Sequence, residues 1–229
     1  MQSKAGDSAL MLRRLGAEGG LIASIDGVFQ NPAAVLAAAA AARFAVDSPF
    51  YPGVRAAIPH AIRAKVERAI WPILAEHFGC SRQMTMQNAS FALTATLPDR
   101  LRPAQRLPHF DGVDEGQFAA LIHLARRDLG GTGFFRHRST GYERITAERQ
   151  QHYFSALRDD LNRVGRPAPA YINGSTDIYE LIGMSPAIFN RMVVYRGNML
   201  HSALVCGPAA LDGSPEKGRL TITCFLTAR

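Results

Sequence analysis

The sequence predicts an α+β fold, helical first and β-rich afterwards. Three observations carry this. Helical spacing of apolar residues is confined to the first eighty residues and to one later stretch; from Met84 onward, short segments rich in β-branched and aromatic residues recur; and glycine- or proline-rich turns bound most of those segments. No repeat and no linker divides the 229 residues, so a single domain is expected. Within it, residues 1–20 read as a loose leader, 21–80 as mainly helical support and 84–229 as the β-rich core.

Residues 1–20 are polar and Gly-rich with no clean period. Leu21–Asp26 (LIASID) reads as a short strand. Asn31-Pro32 supplies an N-cap followed by proline at the first helical position, and the helix continues over Ala33–Arg43. Asp47–Pro59 reads as a loop, because three prolines and a glycine break any period. From His60 to Phe78, Ile62, Val66, Ile70, Ile73, Leu74 and Phe78 fall at helical spacing, with Pro72 expected to kink or split the helix. Beyond Gly79, strands are expected over Met84–Leu97, Phe118–Ala125, Gly133–His137, Arg191–Tyr195 and Leu220–Leu226. One helix, Ala147–Val164, and the loop GRPAPAYINGS interrupt them.

Composition narrows the function classes. The balance of 47% hydrophobic to 20% charged residues is that of a folded protein, which excludes wholesale disorder. The formal net charge is +7, but only Lys4, Lys65 and Lys217 are lysines, and the arginines are spread without a dense basic run. Nucleic acid is therefore not the expected partner. Cys80, Cys206 and Cys224 form no CxxC pair, which argues against a disulfide framework or a cysteine-based zinc site; Cys206 and Cys224 are expected to be buried small hydrophobes. The first residues lack the apolar stretch of a signal peptide, and the Ala33–Ala42 run is too short to span a bilayer. A cytoplasmic protein without membrane contact is the expectation.

The chemistry concentrates in Leu107–Gly112, LPHFDG. In an extended strand alternate side chains share a face, so His109 and Asp111 point the same way and can share a metal. His201 follows in a second strand-like segment, NRMVVYRGNMLHSALV. Two histidines and a carboxylate cover one face of a metal and leave the other open, the facial triad of non-haem iron oxygenases. Further on, GRLTITCFL opens with Arg219 and puts Thr221 on the same face. A guanidinium fork matches a carboxylate bidentately, and a hydroxyl two residues on adds a donor.

With these residues the chain resembles the 2-oxoglutarate/Fe(II)-dependent oxygenase superfamily, in particular its prolyl-hydroxylase-like and phytanoyl-hydroxylase-like branches. The resemblance covers roughly residues 84–229. It rests on His109-x-Asp111, Gly130-Gly131-Thr132-Gly133-Phe134-Phe135, His201 and Arg219-x-Thr221. It implies a double-stranded β-helix (a jelly-roll, cupin-like core) flanked by N-terminal helices. It also implies Fe(II) on His109, Asp111 and His201, with 2-oxoglutarate and O₂ as co-substrates and Arg219 and Thr221 on the far carboxylate of 2-oxoglutarate. The implied reaction is hydroxylation of an unactivated C–H bond of a small molecule or peptide, with release of succinate and CO₂. The stretch Gly207–Gly218 departs from the pattern as an inserted loop, and the single arginine on the last strand departs from the nucleic-acid demethylase branch.

Other residues carry less specific expectations. Arg136, His137 and Arg138 follow the Gly-Gly strand and either face an anionic substrate or sit in a solvated turn. His123 alternates with apolar residues as a barrel-lining or core histidine. His60, His77 and His152 fall on helices as surface or packing residues, and Asn190-Arg191 caps and orients the next strand. The alternatives to an oxygenase are a metal-binding cupin-like protein that does not use 2-oxoglutarate, and a catalytically silent β-helix that serves as a binding module.

Overall fold

The structure, a computed structural model, describes residues 10–229. Ten strands form two antiparallel sheets: β1 Leu10–Leu15, β2 Gly20–Ile25, β3 Gly53–Ala57, β4 Met84–Thr94, β5 Gln117–His123, β6 Thr132–His137, β7 Tyr179–Ser185, β8 Met192–Arg196, β9 His201–Ala203 and β10 Arg219–Ala228. Seven lie in the order β1-β2-β8-β5-β10-β4-β3, and three in the order β7-β6-β9. The α-helices are α1 Pro32–Ala40, α2 His60–His77 and α3 Ala147–Val164. Among the described residues, no helix is long and apolar enough to cross a membrane.

Period-two alternation sorts each strand of the large sheet into two faces. On β10, Leu220, Ile222, Cys224 and Leu226 join Phe118, Ala120 and Ile122 of β5 and Met192 and Val194 of β8. This apolar face packs under Ile62, Val66, Ile70, Ile73 and Leu74 of α2. The opposite face turns to the small sheet, where Ala119, Val193 and Tyr195 meet Phe134 of β6. The outer face of the small sheet, with Phe135 and Tyr179, is covered by Tyr153, Leu157 and Leu161 of α3. Two antiparallel sheets face to face, each backed by a helix, form the jelly-roll arrangement.

Several expectations need correction. The supposed leader contains β1, which pairs with β2 from Leu10↔Ile25 to Leu15↔Gly20; residues 1–9 lie outside the described residues. The Asp47–Pro59 stretch is not all loop: β3 occupies Gly53–Ala57, because Gly53 lets the chain press against the Leu93 carbonyl, where a Cβ would sit 1.9 Å away. β1 to β3 thus extend the large sheet, and the β core is not confined to 84–229. Pro72 does not split α2, which runs unbroken; Pro72 lies on its exposed face, where water can serve the carbonyl its ring deprives of a donor. β7 also forms, over a stretch not read as a strand. Cys206 is exposed, because it follows β9 into the loop, whereas Cys224 is buried.

One side chain clamps the start of β8. Asn190 adopts φ 62°, and its side chain accepts from the Phe29 amide at 3.0 Å and donates to the Phe29 carbonyl at 2.8 Å. Its own amide donates to the His123 carbonyl at 2.7 Å. Arg191 beside it grips Asp26 through two bonds. Asn190→Ala loses both buried side-chain bonds and keeps the left-handed backbone, so chemical denaturation should show a loss of about 3 kcal/mol. A loss below roughly 1 kcal/mol, the worth of a single ordinary hydrogen bond, would mean the clamp does not hold this corner.

Candidate metal centre and anion site

His109 is not in a regular strand. It forms an isolated bridge to His201, with N–H···O bonds of 2.9 and 2.8 Å in the two directions, so that its segment lies beside β9. The Asp111 amide donates to the Gly197 carbonyl at 2.7 Å, which fixes the second ligand candidate against the turn before β9. The extended backbone between them keeps both side chains on one side, as alternation requires.

His109, Asp111 and His201 come together. Their potential ligand atoms all lie within 4.8 Å of one another. His109 Nε2 is 3.8 Å from Asp111 Oδ1, and His201 Nε2 is 3.6 Å from Asp111 Oδ2. Ligand atoms about 2.1 Å from one ion and at right angles would be about 3 Å apart, so a small contraction would suffice. The His201 Nδ1–H donates to the Met199 carbonyl at 2.8 Å, which leaves the Nε2 lone pair facing Asp111. Tyr195 stacks edge-on against the same ring with centroids 4.9 Å apart.

The electrostatics suit a cation. Burial lowers the His201 pKa to about 4. The His109 side chain is 55% exposed, but its inner edge is shut off from water by surrounding protein; that desolvation, then the His201 charge, lowers it to about 4 against the pull of Asp111. Both rings are therefore neutral at pH 7 and need release no proton to bind a metal. Burial raises the Asp111 carboxyl, opposed by His109 and Arg55. Donor types, tautomer and charge state all fit a divalent metal with open positions.

Arg219 is 4% exposed. Its Nε and Nη2 donate to the Gly130 and Gly131 carbonyls, each at 3.0 Å, and Nη1 approaches Thr94 Oγ1 at 3.5 Å. The Gly-Gly pair has a physical reason: Gly130 sits at φ 96°, and a Cβ there would lie 1.4 Å from the Leu204 carbonyl oxygen. No carboxylate of the described residues lies within 4.0 Å of the guanidinium; the groups that act on it are the phenols of Tyr51, Tyr171 and Tyr195 and the thiol of Cys206. A buried cation without a counter-charge costs several kcal/mol, and an anionic ligand would offset that cost.

Thr221 faces inward beside it, bonded weakly to the Ala92 carbonyl at 3.4 Å. His123, opposite Thr221 on β5, is 2% exposed and its Nε2 has no partner. Burial lowers its pKa to about 3, helped by Arg219 and Arg191. The sequence leaves His123 as a barrel-lining or core histidine; the strand register, two positions past an inward Leu121, selects the barrel-lining alternative and places it on the site face.

The other candidates lie elsewhere. Arg136 is committed to Glu143 at 2.6 Å and Glu180 at 2.9 Å. His137 is fully buried, with Nδ1 at Thr140 and Nε2 3.2 Å from Asp160. Arg138 is tied to the Thr176 carbonyl at 2.9 Å. A cavity of about 450 Å³ lies between Arg106–Leu107 and residues 164–178, but none of the three metal-ligand candidates lines it.

Fold and site together define a jelly-roll protein with a facial His/Asp/His cluster and a buried, unpaired arginine. The chain belongs to a family of unknown function (DUF6445), whose model matches residues 7–226. No curated protein matches it. Among solved structures it is similar to HygX from Streptomyces hygroscopicus with nickel and 2-oxoglutarate bound, at 11% identity and TM-score 0.52, covering 90% of this chain and 82% of that one. It is also similar to HygX with nickel, 2-oxoglutarate and hygromycin B bound, at 11% identity, TM-score 0.50 and the same coverage. At these identities the likeness is one of fold.

The depressed histidines predict an acid-labile site. Between pH 6.5 and 3 the unfolded chain binds a proton at position 123 that the folded chain refuses, so stability is full above pH 6.5 and falls as pH drops. Replacing His123 by Gln should flatten the stability–pH curve of the metal-free protein by up to about 3 kcal/mol between pH 7 and 4. An unchanged slope in urea titrations would show that His123 does not carry it.

Proposed function

We propose that the protein is an Fe(II)- and 2-oxoglutarate-dependent oxygenase that hydroxylates an unactivated C–H bond of a small molecule or peptide. The observation that carries this reading is Arg219. A buried guanidinium with no carboxylate partner, on the face turned toward the small sheet that carries His201, calls for an anionic co-substrate beside a metal. A cupin-like protein that only binds metal would have no use for that charge.

In this reading His109, Asp111 and His201 hold the metal, and Asp111 also lowers the net charge of the centre. Arg219, fixed by the Gly130 and Gly131 carbonyls, offers its remaining N–H edge to the far carboxylate of 2-oxoglutarate. The Thr221 hydroxyl and the unpartnered His123 Nε2 are the adjacent polar groups that orient it. Tyr195 and Phe134 line the space between the sheets and keep it dry. Bound iron supplies the redox chemistry that couples oxidation of 2-oxoglutarate by O₂, to succinate and CO₂, with oxygen insertion into the C–H bond. Arg136, His137 and Arg138 have no part in this proposal: Arg136 is paired with Glu143 and Glu180, His137 is buried beside Thr140 and Asp160, and Arg138 is exposed with its Nε on the Thr176 carbonyl.

The test is an anaerobic titration of the apo-protein with Fe(II) and 2-oxoglutarate, read as the visible metal-to-ligand charge-transfer band. The wild type should form the band and His109→Ala should not. Arg219→Met should raise the half-saturating 2-oxoglutarate concentration about 100-fold, the loss of a buried charge-assisted contact. Asp111→Ala should abolish hydroxylation. Bound metal without a band would favour the cupin-like reading, and absence of metal binding the silent binding module.

A further inference from the structure

We propose that Arg55 is the substrate-recognition residue, and that the substrate is a small molecule carrying a carboxylate which Arg55 binds beside the metal centre. This rests on the oxygenase reading and names the class of molecule on which that site acts.

The strand register puts Arg55 there. β3 is the edge strand next to β4, and the pairings Arg55↔Ala92, Ala92↔Thr221 and Thr221↔His123 run straight across the sheet. Paired residues of antiparallel strands share a face, so Arg55 stands in the same inward row as Thr221 and His123. The neighbouring row, Gly53↔Thr94↔Arg219, carries the co-substrate cation. Two strand spacings, about 10 Å, separate the backbones of Arg55 and Thr221, a gap that an extended arginine covers in large part.

The fork is held ready and is poorly used by the protein. Its Cζ lies 4.4 Å from the centre of the Tyr51 ring and 5.9 Å from that of Phe225. Its backbone is fixed by bonds of 2.8 and 2.9 Å to Ala45. Its Nε is buried without a partner. Among the described residues the one acid within 4.0 Å of it is Asp47, 42% exposed at its side chain and 3.7 Å away, too far for a hydrogen bond. A stacked, oriented guanidinium with free N–H groups is built for a planar anion. The nearby Asp47 and Asp111 would repel a phosphate dianion more than a carboxylate, which selects the monoanion.

The experiment offers the holoenzyme a panel of N-acetyl amino acids, each as free acid and as carboxamide, and reads succinate release. Free acids should stimulate release at least ten-fold over their amides. Arg55→Met should raise KM for the acids ten-fold or more and bring the acid-to-amide ratio close to one. Asp47→Asn, which removes the competing acid, should lower KM for the acids several-fold, an opposite shift that a merely structural arginine would not produce. Equal stimulation by acids and amides, no stimulation by any acid, or a preference that survives Arg55→Met overturns the proposal. If the wild type forms no charge-transfer band, the oxygenase reading has failed, and calorimetric titration of the metal-free protein with the same acids judges Arg55 alone. Heat that is lost in Arg55→Met upholds it as a carboxylate site, and absence of heat in the wild type overturns it.

Discussion

Everything about this molecule depends on the two-sidedness of β10. Leu220, Ile222, Cys224 and Leu226 fasten the strand to the core beneath α2, while Arg219, Thr221 and Thr223 turn the other way, toward the small sheet. A shift of one residue in register would put a guanidinium into the apolar layer and four hydrophobic side chains into the site. The penalty for burying that charge among Ile70 and Leu74 is far larger than any local strand preference, so the register is fixed by the chemistry it serves.

The same logic spreads across the sheet. β5 inherits its register from β10, which brings His123 opposite Thr221; β4 inherits it on the other side, bringing Thr94 opposite Arg219 and Ala92 opposite Thr221. β3 then extends the pattern by one strand and delivers Arg55. Arg55, Thr94, Arg219, Thr221 and His123 are thus steps across one hydrogen-bonded surface, which α2 locks from behind, while His109 and Asp111 come from the irregular segment bridged to His201 of β9.

What the sequence made legible follows from how local the signals are. His109-x-Asp111 and Arg219-x-Thr221 could be read because alternation acts over two residues and needs no knowledge of the fold. α3 could be read to the residue because its amphipathic spacing and the following Gly165 are both local. β1, β3 and β7 could not, because these strands take their stability from the partner strand and not from their own composition. β3 hides among Pro49, Pro52 and Pro59 and is a strand only because β4 and Ala45 supply its hydrogen bonds. For Arg136 and Arg138 the sequence leaves a substrate-facing and a solvated-turn alternative open for the converse reason: charge is visible in a sequence, but the partners, Glu143 and Glu180 for Arg136 and the Thr176 carbonyl for Arg138, are not.

Counter-charge and position together separate structural arginines from functional ones. Arg191 has Asp26, Arg136 has Glu143 and Glu180, and Arg149 has Glu18, each within 3 Å. These pairs link distant segments of the chain and are satisfied without any ligand. Arg219 has only carbonyls and a distant hydroxyl, and Arg55 only a loose, half-exposed acid and two aromatic rings. Arg106 and Arg196 also end on carbonyls alone, so position is what marks Arg219 and Arg55: two under-paired guanidiniums on the sheet face turned toward His109, Asp111 and His201 are best explained by two anions that arrive from outside, one to be consumed with the oxidant, the other to be held while it is modified.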